Sequence, residues 1–168
     1  MYKSADGGMT WRATSLGLDY APGALALDPQ LPTTLYAAAG GAILTSTDAG
    51  ASWQSRINGL PSPPNTCSRS QCAELAISLL AVDPQQSGTV YAGSWGTTTQ
   101  GQNSPDRDKG IFKTTDGGLT WNRASPEFPV IALAVDPARP ATIYAGVDQR
   151  DYRIAKSTDG GQTWAIAG

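Results

Sequence analysis

The pattern Ser/Thr-x-Asp-x-Gly-x-x-Trp occurs four times in this chain of 168 residues. The copies read SADGGMTW (Ser4 to Trp11), STDAGASW (Ser46 to Trp53), TTDGGLTW (Thr114 to Trp121) and STDGGQTW (Ser157 to Trp164). Four of the five tryptophans close a copy. A unit repeated in this way, with strand-like flanks, builds an array of similar supersecondary units rather than one irregular core.

The residue types explain the turn they must form. An Asp at the third position accepts hydrogen bonds from backbone N–H groups of its own turn. A Ser or Thr two residues earlier donates its hydroxyl to the same carboxylate. Gly8, Gly50, Gly118 and Gly161 supply the positive φ of a tight turn. The Trp then returns to the sheet and buries a large apolar area. On this reading Asp6, Asp48, Asp116 and Asp159 clasp turns, and Trp11, Trp53, Trp121 and Trp164 anchor them; none of the carboxylates is assigned to catalysis or metal binding.

Three further series recur upstream of the copies. One ends in Asp-Pro: Leu25 to Pro29, Leu80 to Pro84 and Leu133 to Pro137. The second carries a tyrosine: Leu35 to Ala37, Val90 to Ala92 and Ile143 to Ala145. The third runs into the turn: Ile43 to Thr45, Ile111 to Lys113 and Ile154 to Lys156. Each is a short β-prone run bounded by turn residues, which predicts four strands per unit.

These segments resemble Asp-boxes, the repeat shared by sialidases, sortilin-type receptor domains, xyloglucan-degrading enzymes and photosystem-assembly factors. Copy three departs in opening on Thr114, and copy two in carrying Ala49 where the others have Gly. The resemblance implies an all-β fold of four-stranded antiparallel propeller blades, with each box between the third and fourth strands. It covers nearly the whole chain. About three and a half blades are expected: a half blade over 1–20, a blade over 21–60, a blade with inserted loops over 75–128, and a blade over 129–168. Closed propellers carry about 4–8 blades, so this count predicts a portion of a longer propeller, with self-association as the alternative.

The spacing of the boxes locates the irregular parts. Asp6 to Asp48 is 42 residues, Asp116 to Asp159 is 43, and Asp48 to Asp116 is 68. The excess falls in Gln54 to Ser78, between two blades, and in Ser94 to Gly110, between the second and third strands of one blade. In an up-and-down blade both connections lie on the face opposite the boxes. Loops on a rigid scaffold are where binding groups concentrate, so the face carrying residues 54–78 and 94–110 is the expected binding face.

Candidate residues on that face are few. Trp95, the one tryptophan outside a box, can stack on a sugar ring or pack on the blade rim. Asp106, Arg107 and Asp108, candidate binding residues, form either a catalytic or calcium cluster or a solvated loop with surface ion pairs. Arg150, Tyr152 and Arg153 can clamp a carboxylate or line a plain loop. Asp19, Tyr20, Glu74 and Glu127 lie in blade-to-blade connections. Cys67 and Cys72 are expected to form a disulfide stapling the first insertion, the alternative being a metal or redox pair.

Composition narrows the classes further. The chain has no histidine, which excludes Ser-His-Asp and Cys-His nucleophile schemes within it. Two cysteines without histidine do not complete a zinc site, and no cofactor or metal is expected. A net charge of −2 and the absence of a basic stripe argue against nucleic acid. No apolar run approaches the ~20 residues of a membrane helix.

Sialidases carry an arginine triad, a Tyr–Glu pair and an Arg-Ile-Pro segment, of which only Arg153-Ile154 has a counterpart here. The sequence therefore predicts a non-catalytic, extracytoplasmic scaffold that binds a protein or glycan through the loop face. The alternatives are a fragment of a sialidase- or xyloglucanase-like glycoside hydrolase, or a subunit or assembly factor of a membrane-associated complex.

Overall fold

The computed structural model describes residues 2–13, 21–39, 41–61, 75–97, 108–148 and 153–167. The fold is an all-β partial propeller. A two-stranded sheet, β1 (Tyr2–Lys3) with β2 (Arg12–Ala13), forms a half blade around the first box. The first full blade runs β3 (Ala24–Leu27), β4 (Leu35–Ala39), β5 (Ala42–Ser46) and β6 (Gln54–Ser55). The second runs β7 (Leu75–Val82), β8 (Val90–Thr97), β9 (Lys109–Thr114) and β10 (Asn122–Arg123). The third runs β11 (Val130–Val135), β12 (Ile143–Val147), β13 (Arg153–Ser157) and β14 (Ala165–Ala167). All neighbours pair antiparallel and in sequence order.

The first-to-second-strand turn is built the same way in each full blade. Asp28 accepts from the N–H of Gln30 and Leu31 at 2.9 and 3.2 Å, and Asp83 from Gln85 and Gln86 at 2.8 and 3.1 Å. Asp136 does so from Ala138 and Arg139 at 2.9 and 3.2 Å. The proline that follows each Asp has no N–H to satisfy, so the short polar side chain is enough to close the turn.

The apolar core lies between blades rather than within them. One cluster, including Tyr36, Ile43, Val90, Phe112 and Trp121, joins the first and second blades. Another, including Tyr91, Ile111, Val130, Ile143 and Ala155, joins the second and third. Burying each Ile or Val here contributes about 1.5–3 kcal/mol. A sheet with both faces covered by neighbouring sheets explains why Val90, Tyr91 and Ala92 are buried in succession instead of alternating.

Two sequence expectations need correction. The second insertion is shorter than Ser94 to Gly110, because β8 continues to Thr97 and β9 begins at Lys109, with Trp95 paired to Lys109. Likewise Gln54 to Ser78 is not all loop: it opens on β6, and β7 begins at Leu75. Strand pairing continues into both segments because the neighbouring strand offers free backbone partners there. The box tryptophans also differ in burial: Trp121 is 2% exposed and Trp11 is 62% exposed, and among the described residues no blade packs in front of the half blade.

Candidate functional site

Each box is a closed hydrogen-bonded clasp. The Ser or Thr hydroxyl donates to the Asp at 2.7 Å for Ser4–Asp6, 2.8 Å for Ser46–Asp48, 2.7 Å for Thr114–Asp116 and 2.8 Å for Ser157–Asp159. The same hydroxyl oxygen accepts from the N–H of Gly8, Gly50, Gly118 and Gly161. The Asp then accepts both the N–H and the hydroxyl of a fourth residue: Thr10, Ser52, Thr120 or Thr163.

That fourth residue is one the sequence reading passes over. The signal is present, since the seventh position is Thr or Ser in every copy. These bonds, first among them the hydroxyl of the seventh residue, lower Asp6, Asp48 and Asp116 to about 2. Asp159 is held lower still for the same reason. Each of these carboxylates is thus held by the hydroxyls and N–H groups of its own turn.

The loop face is different. At its base in the second blade, Ser94 is fully buried and donates its hydroxyl to the Asp108 carbonyl at 2.7 Å. Its oxygen accepts the Gly96 N–H at 3.2 Å. Across the strand pair, Arg123 donates to the Lys109 carbonyl at 2.6 Å and lies over the Phe112 ring at 5.1 Å. Ser125 accepts the Ile111 N–H at 2.7 Å. The strand ends that carry the inserted loop are therefore rigid.

Trp95 stands on this base. It follows Tyr91 and Gly93 on one face of β8 by the two-residue strand period, and is 41% exposed. Part of its indole is thus open to solvent at the end of the strand. Asp108 is buried, at 7% exposure, and not part of a solvated run. Arg153 is exposed and opens β13 opposite Val147. Asp106, Arg107, Arg150, Tyr152, Cys67, Cys72, Asp19, Tyr20 and Glu74 lie outside the described residues.

Two further carboxylates belong to the loop face. Glu127 is exposed in the connection to the third blade. Asp148, which the sequence reading passes over, is half-buried at the end of β12, with its N–H donated to the Pro129 carbonyl at 3.0 Å. Its position after the second strand of a blade is the signal that marks it. No group of three or more His, Cys, Asp or Glu suited to a metal ion occurs among the described residues.

Two seams between the second and third blades complete the description. One, of about 560 Å³, is lined by Lys113, Arg123, Ser125, Gln162 and Trp164. The other, of about 300 Å³, is lined by Asp83, Tyr91, Lys113, Pro140 and Asp159. The Trp164 indole N–H is already donated to the Ala124 carbonyl at 2.6 Å, so the larger seam is an interblade joint. Among the described residues no helix is long and apolar enough to cross a membrane.

No family model matches the chain. It is 32% identical over 112 residues, 61% of its length, to a xyloglucanase of Hypocrea jecorina (strain QM6a), and spans 12% of that protein. Among solved structures it is similar to the GH74 enzyme of Niastella koreensis, at 32% identity and a TM-score of 0.62. That match covers 88% of this chain and 22% of the enzyme. YCF48 from Cyanidioschyzon merolae shares the fold at 15% identity and a TM-score of 0.60, covering 93% of this chain and 42% of that one. The likeness favours the glycoside-hydrolase alternative over the non-catalytic scaffold that the sequence put first.

Proposed function

We propose that this chain is a blade segment of a xyloglucanase-like glycoside hydrolase and that its loop face binds a xyloglucan chain. The reading rests on the 32% identity to a xyloglucanase and to a GH74 enzyme, extending over most of this chain. Trp95 supplies the sugar-stacking surface, and the Ser94–Asp108 and Arg123–Lys109 bonds hold it in place. Hydrolysis of a glycoside takes two carboxyl groups flanking the scissile bond. Asp108 is buried, and Asp148 closes its own blade through a backbone N–H bond to the Pro129 carbonyl; the segment is assigned polysaccharide binding and not the chemical step. A polysaccharide ligand places its work outside the cytoplasm.

The test is retardation of the purified chain in a native gel containing xyloglucan, beside a gel without it. Retardation that is lost in Trp95→Ala, with the melting temperature unchanged, supports the reading. Equal mobility in both gels at saturating polysaccharide overturns it and returns the face to a protein partner.

A further inference from the structure

The two joints between full blades share a backbone frame. Gln30 donates to the Pro84 carbonyl at 2.8 Å across the first, and Gln85 to the Pro137 carbonyl at 3.1 Å across the second. Gly117 donates its N–H to Gly88 at 3.0 Å, and Gly160 donates its own to Ala141 at 2.9 Å. The joints differ at one carboxylate. In the first, Asp28 offers its second oxygen to the next blade, where it accepts the Ser87 hydroxyl at 2.7 Å and the Gly88 N–H at 3.1 Å. In the third blade the equivalent Asp136 gives that oxygen to Arg139, whose guanidinium donates at 3.1 and 3.2 Å.

Asp83 has neither arrangement. Pro140 and Ala141 stand where the second blade has Ser87 and Gly88, and Gln86 stands where the third blade has Arg139. Pro140 has no N–H or hydroxyl to give. Oδ1 of Asp83 holds the Gln85 and Gln86 N–H groups, and among the described residues no protein group donates to Oδ2. The residue is nonetheless only 4% exposed. A carboxylate withdrawn from water calls for a donor at each oxygen. Asp83 lines the smaller seam, of about 300 Å³, together with Tyr91, Lys113, Pro140 and Gly160. Burial, and after it the Asp83 charge, raises the Tyr91 phenol, which puts the carboxylate on the seam side of its turn. The volume is at the lower end of the about 300–1,000 Å³ of small-molecule sites.

Lys113 brings the complementary group. Its ammonium has three donors, and one goes to the Gly160 carbonyl at 3.0 Å. A ligand in the seam therefore meets an acceptor and a donor together. A guanidinium would satisfy Asp83 as Arg139 satisfies Asp136, but the Lys113 charge repels it. A hydroxyl suits both groups: it donates to Asp83 as Ser87 does to Asp28, and it accepts from Lys113. We infer that this seam is a second carbohydrate site, holding one sugar residue by neighbouring hydroxyls between Asp83 and Lys113. It lies on the box face, beside Asp159, and away from Trp95. The choice of a sugar draws on the polysaccharide reading of the loop face; the site itself rests on the Asp83 geometry.

The experiment is a titration of the isotope-labelled chain with methyl glucoside to tens of millimolar, followed by amide NMR. The expected result is saturable shifts at Gln86, Ala141 and Gly160. Asp83→Asn keeps the acceptor for the Gln85 and Gln86 N–H groups and turns the free oxygen into a donor. It is expected to weaken the sugar at least tenfold. Pro140→Ser with Ala141→Gly rebuilds the donors of the first joint, so the protein fills the seam itself. That variant is expected to lose the shifts and to melt higher, and it carries the test if Asp83→Asn loses its folded circular dichroism. Absence of saturable shifts in the wild type overturns the inference, as do shifts that survive both variants. Guanidinium chloride that saturates the same amides at lower concentration than the sugar also overturns it and makes the seam a receptor for a cationic side chain. Shifts confined to Trp95 overturn it while leaving the loop-face reading in place. Seam shifts in a chain that xyloglucan gels do not retard support it and strike the loop-face reading instead.

Discussion

Tyr91 of the second blade donates its hydroxyl to the Gly160 carbonyl in the box of the third, at 3.4 Å, and Lys113 reaches the same oxygen at 3.0 Å. Burial, with the nearby negative charge of Asp83, pushes the Tyr91 phenol up to about 12. It remains a donor at any pH at which the protein is handled. The blade joint is thus an aromatic ring sealed by a hydrogen bond at its tip.

Tyr91→Phe keeps the ring and loses the bond, and is expected to cost about 1 kcal/mol. Tyr91→Ala opens a cavity between two blades and should cost about 3–5 kcal/mol, in line with other buried aromatic truncations. Urea denaturation of the two variants measures both. A Phe variant as unstable as the Ala variant would show that the bond, not the ring, holds the joint.

The boxes make the protein acid-sensitive. Asp6, Asp48 and Asp116 are held at about 2, below the usual carboxylate value of about 4. A carboxylate depressed in the folded state stabilises it fully above the unfolded value. That contribution is lost as pH falls from about 4 through about 2. The melting temperature should therefore be flat from neutral pH to about 4.5 and fall steeply below it. Asp116→Asn should make the acid fall shallower.

Ala49 is the one non-glycine residue with positive φ among the described residues, at 60°. Gly7, Gly117 and Gly160 take the same position in the other boxes, at 70°, 73° and 72°. A Cβ in this region costs about 1–2 kcal/mol, partly offset by the greater freedom of glycine in the unfolded chain. Ala49→Gly is expected to raise stability by about 0.5–1 kcal/mol. Calorimetry on the variant checks this, and a loss of stability would contradict it.

Gly59 joins the first blade to the second, with φ of 88°, and a Cβ there would overlap the Trp121 carbonyl. The adjacent Asn58 carbonyl accepts the Trp121 N–H at 2.8 Å, so the loop has no room to retreat. Gly59→Ala should cost more than the ~1–3 kcal/mol of backbone strain alone. Exposure of Trp121 to a fluorescence quencher reads the displaced loop.

The strands and clasps of this protein are legible in its sequence because they are local. The side chains of Ser157 and Asp159 bond to one another and to Gly161, Gln162 and Thr163, so the clasp closes within eight consecutive residues. The Asp-Pro turns also close on their own backbone, although Asp28 accepts in addition from Ser87 and Gly88 of the next blade. Neighbouring blades decided the rest. Trp11 and Trp121 close the same motif, yet one stands in solvent and the other is buried, because among the described residues only Trp121 has a blade packed in front of it. Trp95 and Asp108 read as loop residues and became the end of a strand and a buried corner, because Ser94 and Arg123 bind backbone carbonyls across the sheet. A repeat determines its own hydrogen bonds; what each copy buries depends on the copy beside it.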